Sequence, residues 1–264
     1  MRLVDLLLAC AALVGPAATA AAAPPRDPLG SPMWDFHARR LFGSDPVVFD
    51  EAVAVTIPPI AENQRVFPVT VDARKLAGVK RIVLFGDLNP IPVAVDFRPT
   101  GAAPFIATRI KLDQRTPVRA AVQTLDGTWH VAGSWIDAAG GGCSAPPVSR
   151  VKGDWADHLG EVRGGAWRDG IDTRLRVTIR HPMDTGLVEN IAAYNVDRLT
   201  VSDEAGQRLA EMTVYGSVAE DPAFTFIVPG TGSGAFAIAA HDSNGLAFSG
   251  TARSAPGPAP ALRK

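Results

Sequence analysis

Three patterns of hydrophobic and polar positions follow one another along the chain. Residues 3–14 are apolar except for Asp5. Residues 32–42 (PMWDFHARRLF) space Trp34, His37, Leu41 and Phe42 as a short helix would. Ser31 is placed to cap that helix and Gly43 to end it. From Ala52 the period shortens to that of β-strands. Short runs rich in β-branched and aromatic residues occupy 52–57, 66–73, 79–86, 93–97, 105–110, 117–125 and 128–136. The last two flank Asp126-Gly127, a two-residue hairpin signal. Strand-like runs stop at Asp137 and resume at 173–180, 197–203, 208–216, 223–228, 234–242 and 246–253. Glu204-Ala205-Gly206 and Ser243-Asn244-Gly245 supply turns in this second block.

Many short strands with frequent turns predict an all-β fold of two immunoglobulin-like antiparallel β-sandwiches, preceded by the short helix. The expected layout is a first sandwich with its helix at 31–137 and a connection at 138–171. A second sandwich follows at 172–253, and a disordered-type tail at 254–264. Gly and Pro punctuate the chain too often for a helical bundle, at 25 and 22 residues, while 47% hydrophobic residues exclude disorder. The net charge of −1 gives no basic stripe, so neither nucleic acid nor a membrane surface is an expected partner.

Residues 1–23 have the form of a signal peptide: Arg2, the apolar run, then Ala-Thr-Ala-Ala-Ala-Ala at 18–23. The expectation is export to the periplasm. Removal of that segment takes Cys10 with it and leaves Cys143 alone. An exported protein usually pairs its cysteines, so a single one points to a reactive thiol.

Cys143 follows Gly140, Gly141 and Gly142 and precedes Ser144-Ala145-Pro146-Pro147. Glycine freedom and an extended Pro-Pro predict a mobile, narrow arm. At the reach of an extended chain, six residues lift the thiol roughly 20 Å from the last strand. The nearest charges in sequence are Asp137 and Arg150. Nothing local therefore lowers the thiol pKa from about 8.5, which suits a carrier loaded by another enzyme better than a self-activated nucleophile.

Three stretches resemble the SoxYZ carriers of thiosulfate oxidation. VTIPPIAENQRVFPVTVDA at 55–73 resembles the start of the SoxY domain. VTIRHPMDTGL at 177–187 resembles the start of SoxZ, and residues 223–245 resemble its end. Between them, Gly141-Gly142-Cys143 is similar to the core of SoxY's Gly-Gly-Cys-Gly-Gly swinging arm. The chain thus resembles a SoxY–SoxZ fusion of the kind associated with quinoprotein dehydrogenases. The resemblance implies covalent attachment of sulfur intermediates at Cys143, with no cofactor, no metal and no catalytic turnover of its own. Its implied partners are sulfur-oxidation or quinoprotein dehydrogenase-linked periplasmic enzymes. In one respect the chain departs from the family: Ser144-Ala145 replace the closing glycines and the chain continues, so the arm is tethered at both ends. The alternative reading is a non-catalytic immunoglobulin-like accessory module for an exported dehydrogenase, with the thiol incidental.

Other constellations are weaker. A copper site needs two His and a Cys with a Met nearby, but the first histidine after Cys143 is His158 and the first methionine Met183. A cysteine hydrolase would pair Cys143 with His130, His158, His181 or His241, and a glycine arm offers no fixed geometry for that. His181 is expected to pack at a strand end. Thr231-Gly232-Ser233-Gly234 reads as a hairpin loop rather than a phosphate cradle, because no helix follows it. Trp129 and Trp135 read as core residues, and Trp155 and Trp167 as candidates for an interdomain or partner contact.

Overall fold

The computed structural model describes residues 24–230 and 234–258. The expected signal peptide and residues 231–233 and 259–264 lie outside the described residues.

The chain is built of β1 (Val47–Phe49), β2 (Ala54–Thr56), β3 (Phe67–Asp72), β4 (Val79–Gly86), β5 (Val93–Arg98), β6 (Phe105–Ile110), β7 (Thr116–Thr124) and β8 (Trp129–Ile136), followed by β9 (Val162–Asp169), β10 (Asp172–Ile179), β11 (Val196–Ser202), β12 (Arg208–Val214), β13 (Ala223–Val228), β14 (Ala235–Asp242) and β15 (Ala247–Pro258). Two helices are added, α1 (Trp34–Phe42) and α2 (Val148–Lys152). Every strand-like run in the sequence is a strand. The Asp126-Gly127, Glu204–Gly206 and Ser243–Gly245 turns each join a hydrogen-bonded antiparallel pair.

The strands form two immunoglobulin-like sandwiches joined edge to edge. One layer runs β1-β8-β7-β4-β5 into β12-β11-β14-β15; the other runs β2-β3-β6 into β13-β10-β9. The halves meet where β5 pairs with β12 (Phe97 opposite Met212) and β6 pairs with β13 (Ile106 opposite Phe226). Both layers therefore cross from one half to the other on backbone hydrogen bonds. A single core cluster spans the seam, with the Phe97 and Phe226 rings 5.7 Å apart.

β7 is buried along its whole length because both faces are covered. Val118, Ala120 and Val122 face the main core, while Ala121 faces α1 across a second cluster with Trp34, Phe42, Val83, Phe85 and Trp129. This is what the helical spacing of residues 32–42 is for. Met33, not Ser31, holds the N-cap position of α1; the Ser31 hydroxyl accepts the Met33 N–H instead. The N-terminal segment is tied down by Arg119, which is 1% exposed, bonds Asp87 and Asp27, and lies over the Trp34 ring.

Two expectations fail here. Residues 162–169 belong to a strand, not to the irregular connection assigned to 138–171. The expected tail is ordered as far as Pro258, because β15 runs on beside β9 after it has passed the end of β14. Proline is tolerated there since only one neighbour asks for its missing N–H. The expected hairpin loop at Thr231–Gly234 falls largely on residues 231–233, outside the described residues; β13 and β14 on either side of it do not pair with each other.

Candidate functional site

Four segments converge where the two sandwiches meet: Lys111–Asp113 after β6, residues 138–147 after β8, residues 180–186 after β10, and residues 215–221 after β12. Their approach is fixed by backbone pairing. Lys111 N–H donates to Ser217 O (2.7 Å) and Ala219 N–H to Arg109 O (2.9 Å), extending the β6–β13 seam past the strands. Asp184 and Tyr194 exchange a two-way backbone bridge that closes the 180–194 loop.

Cys143 lies inside this junction and is 1% exposed. Its N–H donates to Asp113 Oδ1 (3.0 Å), and its carbonyl accepts the Thr185 hydroxyl (2.6 Å). Gly142 N–H donates to Leu112 O at 3.1 Å, and the Gly140 carbonyl accepts Gln64 Nε2 at 2.7 Å. Gly140 and Gly141 adopt φ of 101° and 83°, a region closed to most side chains. Gly142 is required for a different reason. A Cβ there would stand 2.3 Å from Leu112 O and 2.4 Å from Gln64 O. The three glycines thus let the backbone seat itself against two loops.

The downstream end of the arm is also held. Glu220 accepts the Val148 and Ser149 N–H groups at the start of α2, both at 2.7 Å. Arg150 on α2 pairs with the fully buried Asp184 through Nε at 3.0 Å, and its guanidinium lies 3.8 Å from the Trp155 ring centroid. Trp155 therefore packs within the chain, edge-on to Tyr194. Trp129 is core, as expected. Trp135 is half-buried, with Arg115 over its ring and its Nε1 donating to Leu29 O.

The expectation of a loose, exposed arm is therefore overturned. The sequence places no charge near the thiol, but the fold brings Lys111 and Asp113 to it. Burial pushes the Cys143 thiol up to about 12; the Asp113 carboxylate pushes the same way and the Lys111 ammonium opposes both. In this position the sulfur is a protonated, inert thiol.

Lys111 is 5% exposed. Its Nζ donates to Met183 O and to Gly216 O (2.8 Å), both contributed by the second sandwich. Burial lowers its pKa to about 8, against favourable contributions from Cys143, Asp184 and Glu220. Its own carbonyl is fixed by Asn89 Nδ2 (2.8 Å), and Asn89 Oδ1 in turn accepts Asp113 N–H (3.0 Å).

The His181-Pro182-Met183-Asp184-Thr185-Gly186 block forms the opposite wall. His181 Nδ1 accepts the Met183 N–H (3.1 Å), which holds Met183 at a positive φ of 53° and points its carbonyl at Lys111. Its other nitrogen is buried without a hydrogen bond, 3.8 Å from Asp242, whose carboxylate accepts the Tyr194 hydroxyl at 2.7 Å. Burial lowers the His181 pKa to about 4, so the ring is neutral. The block therefore supplies a carbonyl to Lys111, a carboxylate to Arg150 and a hydroxyl to the Cys143 backbone.

The fold and this junction define a class: two fused immunoglobulin-like sandwiches that share one thiol-bearing segment at their seam. Comparison with known proteins narrows it. The family described as "Sulfur oxidation protein SoxY" matches residues 38–143, ending on Cys143, and "Sulphur oxidation protein SoxZ" matches residues 162–253. Together they account for about three-quarters of the chain. The chain belongs to these two families at once, as a SoxY–SoxZ fusion.

A search of curated proteins returns no match. Among solved structures, the sulfur carrier protein SoxY from Chlorobium limicola f thiosulfatophilum is 24% identical, with a TM-score of 0.35, over 40% of this chain and 94% of its own. A Bacteroides ovatus glucan-utilisation protein, SGBP-B, is 13% identical with a TM-score of 0.20, covering 71% of this chain and 41% of its own. A tandem repeat of a large adhesion protein is 19% identical with a TM-score of 0.21, covering 76% and 47%.

Proposed function

We propose that this protein is a periplasmic sulfur carrier that holds sulfur-compound intermediates covalently on Cys143 and presents them to partner oxidation enzymes. The observation that carries the reading is the pair of family matches, SoxY ending on Cys143 and SoxZ covering the half that packs against it. The thiol-bearing segment is seated by backbone hydrogen bonds and glycine contacts, and Thr185 of the SoxZ half donates its hydroxyl to the Cys143 carbonyl. Such contacts are individually weak, net about 0.5–1.5 kcal/mol each, and can be released and remade. Seated, the thiol is protonated and shielded from oxidation; released, it returns to the ordinary thiol range and meets its loading enzyme. The partners on this reading are sulfur-oxidation or quinoprotein dehydrogenase-linked enzymes, and the carrier itself turns nothing over. Export rests on the leader-like residues 1–23.

The burial of Cys143 favours one other reading, an accessory module in which the thiol is only a packed side chain. Rescue of a deletion strain separates the two. On the carrier reading wild type restores oxidation of the sulfur substrate and Cys143→Ala does not, although both accumulate in the periplasm. Full rescue by Cys143→Ala leaves the accessory reading.

A further inference from the structure

We propose that His181 is the positioning residue of the thiol seat: its neutral ring accepts the hydrogen bond that sets the turn clasping Cys143, and a second proton on the ring withdraws that acceptor and opens the seat. The inference goes beyond the carrier reading and stands whether or not Cys143 holds cargo.

The His181 side chain is fully buried, and its Nδ1 accepts the Met183 N–H at 3.1 Å. The single proton of the neutral ring therefore sits on Nε2. The bond props a strained backbone, because Met183 sits at a φ of 53°, where residues other than glycine are uncommon. Two residues on, the Thr185 hydroxyl donates to Cys143 O at 2.6 Å. The other side of the ring is unfinished. Nε2 has no hydrogen-bond partner and stops 3.8 Å from Asp242 Oδ2. Asp242 is itself fully buried and accepts from neutral donors, the Tyr194 hydroxyl and the Asn244 and Leu246 N–H groups. Among the described residues no other cation lies within ion-pair reach of it. A carboxylate so placed is the partner of an imidazolium rather than of an imidazole.

Protonation therefore does two things at once. Nδ1 becomes a donor that faces the Met183 N–H, and the charged ring is drawn across the gap toward Asp242. Arg150 on α2 and Lys111 after β6 also face the ring, and both oppose its charging, as burial does. Tyr194, with its ring 4.5 Å away, is pushed up by burial and stays a neutral donor. Seated, the ring stays neutral down to about pH 4; in an opened seat it returns to the ordinary histidine range near 6.5. Opening takes up a proton between those limits, so acid favours it. Met183 keeps its side-chain anchor, Val196 N–H donating to Sδ at 3.4 Å, which confines the release to the backbone turn.

The test follows the reactivity of Cys143 against pH in the full chain carrying Cys10→Ser, which leaves a single thiol. The reagent is a dipyridyl disulfide, which reacts with thiols in acid. The Cys143 sulfur attacks one sulfur of the reagent and the S–S bond breaks. A pyridyl disulfide forms on Cys143, and thiopyridone leaves with the electron pair and the thiol proton. Each rate is divided by that of free N-acetylcysteine in the same buffer, which removes the pH dependence of the chemistry itself. In this otherwise wild-type chain the normalised rate should rise on the order of tenfold as pH falls from about 6.5 to about 4.5. Urea below the unfolding transition should leave the rate at the acid end unchanged, because a local opening exposes little surface. His181→Asn keeps an acceptor at the Nδ1 position and takes up no proton, so its profile should stay flat. A flat profile with His181 in place, a measurement that needs no substitution at the site, overturns the proposal. So does an equal rise in His181→Asn, or a rate at acid pH that climbs with urea as unfolding does.

Discussion

Gly142→Ala is the sharpest perturbation of the seated segment. The added methyl would lie 2.3 Å and 2.4 Å from two carbonyl oxygens and 2.8 Å from the Leu112 nitrogen. All three are backbone atoms, so no side-chain rotation relieves the contact. Overpacking of this kind typically costs about 1–3 kcal/mol, which moves the seating equilibrium roughly 5- to 150-fold toward the released form. Released, the segment accepts alanine without strain, so the rest of the fold is unaffected. The chemical gain has a ceiling. At pH 8 a thiol with a pKa of about 12 is ionised in about one molecule in ten thousand, whereas an ordinary thiol reaches roughly one in ten or more, a factor near a thousand. Alkylation by iodoacetamide at pH 8, followed by intact mass, measures the outcome. Gly142→Ala should react about 5 to 150 times faster than wild type with an unchanged melting temperature. A wild-type thiol that reacts as fast as a free cysteine, or a variant no faster than wild type, would refute the seating argument.

Other consequences concern the walls of the same junction and the fold behind it. Thr185→Val removes the hydroxyl that the SoxZ half donates to Cys143 O, and should raise the alkylation rate about fivefold, the value of one hydrogen bond of about 1 kcal/mol. Asp87→Ala removes one of the two buried carboxylates that hold Arg119, leaving Asp27 as its partner, and should lower the urea unfolding free energy by about 1.5–3 kcal/mol, the value of hydrogen bonds to a charged group. His181 has a folded pKa near 4, below its unfolded value of about 6.5, so the unfolded chain binds more protons between those limits. Stability should fall by about 3 kcal/mol as pH drops from 6.5 to 4, and His181→Gln should flatten that slope in denaturation curves taken across the window.

Much of the fold is legible in the sequence because alternation and turn chemistry report local burial. Leu175, Val177 and Ile179 alternate with polar neighbours and are buried in that order. Strand β9 escapes the same reading because its sequence, VRGGAWRD, breaks alternation with two glycines. Gly164 is needed there for close approach to Ala252, a contact that only the folded sheet creates. The Cys143 segment illustrates the same limit. Glycine runs serve mobility and tight seating equally well, and the residues that decide between them are distant in sequence. Asp113 and Thr185 reach the Cys143 backbone, and Gly216 reaches Lys111, through pairing at the seam. The HPMDTG block was legible as a family signature, but its task of aiming carbonyl and hydroxyl groups at another segment was not.

The most direct test of the account is the intact mass of the protein purified without reductant from its native periplasm during growth on reduced sulfur compounds. The account predicts a wild-type population carrying extra sulfur, as persulfide, sulfonate or thiosulfonate, and its complete absence from Cys143→Ala. A wild-type protein found only as the free thiol throughout such growth would contradict it.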